Sequence, residues 1–163
     1  MSVPTWKRKL SGAEYVYQLY QLNIRLGEIL NNKPQKYKTN YTDEIIQTAL
    51  SAMKHVQVAD SIYIGQYART DDFRIRREHL LLAKGELQHV ATACYIFLEI
   101  VRRHDHASES ENEKAGRVYA KIYDQELEIG DLCERCHKLI AGVIKSDSEI
   151  FNKHIKAGKQ RPG

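Results

Sequence analysis

The sequence predicts an all-α protein, an antiparallel up-down-up-down four-helix bundle, and three observations lead there. Only 9 glycines and 3 prolines punctuate 163 residues, so turns are few. Apolar residues recur at helical spacing over long stretches, and polar breaks interrupt them three times. Consecutive helices on short connections pack most simply as antiparallel neighbours. A chain of this length fills one core, so a single domain over 11–144 is expected, with 1–10 and 145–163 as poorly ordered flanks.

The first helix is expected over 11–31, with Tyr15, Leu22 and Ile29 on one line and Val16, Leu19, Leu26 and Leu30 beside it. Asn31, Asn32 and Pro34 end it. The second starts near Asn40 or Thr42, either of which can cap free amides, and Asp43 and Glu44 suit the positive end of the helix dipole. Its buried line reads Ile45, Ala49, Ala52, Val56, Ala59 and Tyr63, where small alanines admit a close neighbour. The third helix has the longest seam: Phe73, Arg76, Leu80, Ala83, Leu87, Val90, Cys94, Phe97 and Val101. Arg76 is the odd member, requiring either a buried acidic partner or a surface where subunits meet. The polar run HDHASESENE, residues 104–113, follows. The fourth helix is expected over 111–144 on Val118, Ile122, Gln125, Ile129, Leu132, Cys136, Leu139 and Val143, with one further weak turn before a basic tail.

The longest apolar runs, such as ATACYIFLEIV, fall short of the ~20 residues that cross a bilayer. The N-terminal residues contain no apolar signal core, so no membrane association and a cytoplasmic location are expected. Three cysteines do not make a disulfide framework.

The stretch LCERCHKLI contains C-x-x-C-H, the pattern that attaches c-type haem through two thioethers and an axial histidine. A bundle cytochrome using Cys133, Cys136 and His137 is therefore one alternative. Helical spacing explains the same residues without a ligand, since Cys136 falls on the seam and Cys133 lies one step before it. Zinc would want four ligands, and His104 and His106 belong at the remote end of the third helix. Inert thiols and no cofactor are the reading adopted. Catalytic patterns are missing: there is no H-E-x-x-H, G-x-S-x-G, Walker loop or G-x-G-x-x-G, and Glu86 with His89 makes one E-x-x-H without the second that a di-iron bundle needs. A non-enzymatic protein is expected.

Charge carries more information. The net charge is +4 and the isoelectric point near 8.9, but the signs are unevenly spread. KPQKYK, RTDDFRIRR, Arg102, Arg103 and the tail are basic, whereas YDQELEIGDLCE is acidic. Such a surface can bind phosphate backbones, or a second copy of the chain. Tyr37 and Tyr41 lie among Lys33, Lys36 and Lys38, and offer either flat surface for bases or packing beneath the loop.

KPQKYKTNYTDEIIQTAL resembles the basic loop and second-helix start of the accessory variability determinant of diversity-generating retroelements. LLLAKGELQHVATACYIFLEI resembles the third helix of the related bundle proteins encoded in intervening sequences of bacterial 23S ribosomal RNA genes, with Glu86 where serine is typical. YDQELEIGDLCERCHKLI is similar to that superfamily's last helix. The resemblance spans 15–144. It implies a four-helix protomer assembling into a homo-oligomeric ring, a pentamer in the accessory protein, that binds DNA or RNA and a reverse transcriptase and has no catalytic centre. On that basis Lys33, Lys36 and Lys38 match the basic loop, and Arg74, Arg76 and Arg77 match the basic start of the third helix. The remaining alternative is a structural interaction module without a nucleic-acid role.

Overall fold

The structure, a computed structural model, describes residues 2–105 and 113–160. Among them the chain is all-α, with five α-helices: α1 (Thr5–Gly12), α2 (Glu14–Asn31), α3 (Asp43–Ser61), α4 (Thr70–Asp105) and α5 (Glu113–Gln160). A 3-10 turn, Gln35–Tyr37, and a π turn, Lys38–Thr42, lead into α3. Most of the polar run expected between the third and fourth helices, 106–112, lies outside the described residues, as does the end of the tail, 161–163.

The four long helices pack in a cycle, α2 on α3, α3 on α4, α4 on α5 and α5 on α2, while α1 rests on α2. The expected line of α2 is buried throughout, and so is that of α4 apart from the partly covered Arg76; from Leu80 to Val101 the α4 line repeats every three and four positions. Ala49, Ala52 and Ala59 are fully buried on α3, where their small side chains allow close approach. Asn23 tightens that contact by donating its amide to the carbonyl of Ala49 at 3.2 Å. Across α3 and α4, Glu44 meets His89, Ser51 meets Glu86 and His55 meets His79, so partner numbers fall on one helix as they rise on the other.

Three expectations are corrected. Tyr63 is not on the buried line of α3: the helix ends at Ser61 and the ring is 68% exposed. On α5 the innermost residues are Ile122, Gln125, Ile129, Cys133, Cys136 and Ile140, whereas Val118 is exposed and Leu132, Leu139 and Val143 are only partly covered. The line therefore drifts by one position through Cys133 and Ile140, as a 3.6-residue helix does against a strict seven-residue repeat. The boundaries 11–144 also differ from the helices: Thr5–Gly12 is α1, and α5 continues to Gln160.

An ion pair ties this extension of α5 to α4. Arg76 extends its guanidinium across to Asp147, Nε donating to Oδ2 at 2.5 Å and Nη2 to Oδ1 at 3.3 Å. Its Nη1 donates to the Ala59 carbonyl at 2.9 Å, which caps the end of α3. Both side chains are only 11% exposed, so the charges compensate each other in a nearly dry setting. Phe151 and His154, one and two turns on, pack against Phe73.

At the opposite end, Glu99 of α4 and Glu126 of α5 share a buried cluster with Arg102, which pairs with both. Among the described residues neither Glu126 oxygen has a hydrogen-bond partner, and its side chain is 2% exposed. Burial, then the neighbouring Glu99 carboxylate, push its carboxyl up to about 7. Burial is the largest influence on Glu99 as well and would raise it, but the neighbouring Glu126 carboxyl and the Arg102 guanidinium hold it below the usual value.

Two predictions follow from these buried charges. Asp147→Asn leaves the Arg76 guanidinium without its counter-charge and should cost about 3 to 5 kcal/mol in urea denaturation, whereas Arg76→Met with Asp147→Leu should recover much of the loss. Glu126 binds its proton more tightly folded than unfolded, so its contribution to stability is present at pH 5 and is lost as pH rises through about 7. Melting at fixed ionic strength should show stability declining from pH 5.5 to 8 by roughly 1 to 3 kcal/mol, with Glu126→Gln removing that slope and stabilising the protein at pH 8.

Candidate nucleic-acid interface

The six cations expected to contact phosphate do not form one patch. Lys33, Lys36 and Lys38 lie beside the last turn of α4, where Lys36 pairs with Asp105 at 2.7 Å. Arg74, Arg76 and Arg77 occupy the opposite end of the same helix, about 46 Å of axis away at 1.5 Å per residue. Their availability also differs. Lys33 is half-buried and donates to Gln125 at 2.6 Å, which satisfies the one polar member of the α5 line, and burial lowers its ammonium pKa. Arg76 is consumed by Asp147. Arg74 is exposed and paired with Asp71 and Glu78 on its own helix, an arrangement a phosphate can displace because exposed pairs contribute little. Lys38 and Arg77 are exposed, and among the described residues neither has an ion-pair partner. Tyr37 and Tyr41 pack beneath the loop, their rings 5.5 and 5.4 Å from that of Phe97, and do not present a platform.

At the Arg74 and Arg77 end the structure gathers residues from three parts of the chain. Trp6 of α1 lines a crevice with Val16, Gln57, Asp60 and Ser61, at the last turn of α3. Tyr63 and Tyr67 lie in the connection from α3 to α4, and the Tyr63 ring folds against Gly65, where any Cβ would collide with it. Trp6 is 67%, Tyr63 68% and Tyr67 85% exposed. Lys7 and Lys9 flank α1's tryptophan in sequence, Arg69 precedes α4, and Lys153 and Lys156 lie on the α5 turns beside Phe151; all five are exposed. A cavity of about 240 Å³ opens between α4 and α5 here, with Phe73, Ile144 and Phe151 as its apolar lining and Arg74, Arg77 and Ser148 among its polar residues.

Sequence reasoning missed most of this surface. Trp6 and its lysines were assigned to a poorly ordered flank, Tyr63 to the core, and Lys153 and Lys156 to a tail. The recoverable signal was TWKRKL, the sole tryptophan set among three cations.

Cys133, Cys136 and Cys94 are buried free thiols. Burial is the largest influence on all three thiols and pushes each up to about 12. His137 is half-buried beside Gly130 and Glu134 at a shallow crevice. Among the described residues, no group of three or more histidine, cysteine, aspartate or glutamate side chains is arranged to hold a metal ion. Native protein at pH 8 should react with a thiol-specific chromogenic disulfide far more slowly than the same protein in denaturant; three equivalents titrating rapidly without denaturant would contradict this burial.

No protein-family model, curated protein or solved structure matches this chain.

Proposed function

We propose that this chain is a non-enzymatic accessory protein that binds single-stranded DNA or RNA across the end built from α1, the α3–α4 connection, the start of α4 and the last turns of α5. The observation that carries the reading is the exposure of Trp6, Tyr63 and Tyr67 at the end of the bundle that also carries the exposed cations Lys7, Lys9, Arg69, Arg77, Lys153 and Lys156. Large aromatic rings left in water mark a binding surface when they cluster. Base stacking on such rings is worth about 1 to 3 kcal/mol per base and tolerates any sequence, while Arg69, Arg74, Arg77, Lys153 and Lys156 supply the charge that tracks a backbone.

In this reading α2 to α5 make an antiparallel up-down-up-down bundle, supported by the falling and rising partner numbers across α3 and α4. The resemblance to the retroelement accessory proteins supplies the setting: a homo-oligomer, pentameric in that family, that holds nucleic acid for a reverse transcriptase. Self-association is favoured by apolar side chains exposed on α4, Leu81, Leu82, Tyr95 and Ile96, and on α5, Tyr123 and Leu127. Among the described residues no helix is long and apolar enough to cross a membrane.

Trp6 is the only tryptophan and so reports directly on the surface. Titration with a mixed-sequence single-stranded oligonucleotide at low salt should quench its emission, and added salt should reverse the quenching with a log–log slope reduced by about 1 to 2 in Arg74→Gln with Arg77→Gln. Tyr63→Ala with Tyr67→Ala should weaken binding roughly tenfold or more at one salt concentration. Lys33→Gln with Lys36→Gln should leave the slope nearly unchanged. Unchanged fluorescence together with no shift in oligonucleotide anisotropy at low salt would overturn the proposal.

A further inference from the structure

We propose that His55 and His79 form a chelating site for a borderline divalent transition ion, of the Zn²⁺, Cu²⁺ or Ni²⁺ class, that bridges α3 and α4. The two imidazoles come from neighbouring helices and bring their Nδ1 atoms to 2.8 Å. Two neutral rings at that distance need one nitrogen as donor and the other as acceptor, and two protonated rings would repel. Two Nδ1 ligands on a tetrahedral ion at 2.0–2.1 Å stand about 3.3 Å apart, so a small rotation of the rings opens the pair to the spacing of a chelate.

The surroundings prepare one ring for ligation. Glu86 lies behind His55, its Oε1 3.9 Å from Nε2, and the Ser51 hydroxyl holds that same oxygen at 2.7 Å. The carboxylate favours the proton on Nε2, which leaves the His55 Nδ1 lone pair directed at His79. A carboxylate behind a ligating histidine is the usual means of fixing its tautomer and raising its basicity. The second Glu86 oxygen is buried, and among the described residues it has no hydrogen-bond partner, so the Ser51 hydroxyl alone donates to this carboxylate. A dication at the two Nδ1 atoms compensates it. In the ion-free pair His79 carries its proton on Nδ1; on binding, that proton moves to Nε2 by exchange with water, and both rings ligate as neutral imidazoles. The His55 side chain is 21% exposed, so water reaches the positions that the protein leaves open. Imidazole donors select Zn²⁺, Cu²⁺ and Ni²⁺ over Mg²⁺ and Ca²⁺. The position is on the flank of the α3–α4 pair and is independent of the nucleic-acid reading.

The test uses the untagged full chain with metal chloride alone. Calorimetric titration with Zn²⁺ and with Ni²⁺ should give one ion per chain and a raised melting temperature, with no response to Mg²⁺. His55→Ala and His79→Ala should each abolish both signals, and Glu86→Gln should weaken binding about 10- to 100-fold while both histidines remain. Paramagnetic resonance of the Cu²⁺ adduct of the parent protein should reveal two coupled imidazole nitrogens, a readout that does not depend on any variant folding. Absence of heat and of thermal stabilisation with every transition ion would overturn the proposal. So would undiminished binding in the double histidine variant, or a Cu²⁺ spectrum lacking two nitrogen ligands.

Discussion

The pairing of Arg76 with Asp147 is the constraint on which the rest of this structure depends. A guanidinium on the inward seam of α4 cannot remain there alone, because leaving one partner of a buried pair uncompensated costs several kcal/mol. The chain answers with Asp147 of α5 and the last carbonyls of α3, so a single side chain fixes three helices at one end. It also anchors the part of α5 beyond 144, where Phe151 packs onto Phe73. Tyr15 of α2 completes the junction by donating its hydroxyl to Asp60 at 3.0 Å. With Arg76 turned inward, helical geometry turns Arg74 and Arg77 outward to the solvent.

The two ends of the molecule use positive charge in opposite ways. Beside the last turn of α4, Lys33 serves Gln125, Lys36 serves Asp105, and Arg102 serves Glu99 and Glu126. Lys33 and Arg102 are turned inward onto the protein's own acceptors, while Lys36 and Lys38 stay exposed at this end. Around α1 and the start of α4, the single buried arginine is satisfied internally, and the remaining exposed cations surround exposed aromatic rings. The contrast comes from where the internal carboxylates lie rather than from where lysine and arginine cluster in the sequence.

That difference also explains what the sequence disclosed. The core of α2 was legible in full and that of α4 except for Leu98 and Glu99, because a long amphipathic helix writes its buried face at fixed spacing and needs no knowledge of its partners. The need of Arg76 for an acidic partner was legible too, from a charge in an apolar line. Its identity was not, since Asp147 sits in SDSE, a polar stretch indistinguishable locally from a solvated tail. Lys33 escaped for the same reason: Gln125 was legible as the polar member of its seam, but the lysine that satisfies it comes from 92 residues away and looks like surface on its own. Trp6 was missed because eight residues of helix give too short a period to recognise, and Tyr63 because alternation continued one turn beyond the place where α3 stops. Long-range polar pairing leaves no periodic trace, and most of the candidate interface depends on it.

The central claim is that nucleic acid lies across the α1, α4-start and α5-terminal end, and photocrosslinking locates a bound strand directly. A mixed-sequence oligonucleotide carrying 4-thiouridine or its deoxy counterpart, irradiated with the protein and mapped by peptide mass spectrometry, should crosslink to Trp6, Tyr63 and Tyr67 and should lose those adducts as salt is raised. Adducts concentrated instead on the peptide containing Tyr37 and Tyr41, at the lysine end of the molecule, would contradict the account.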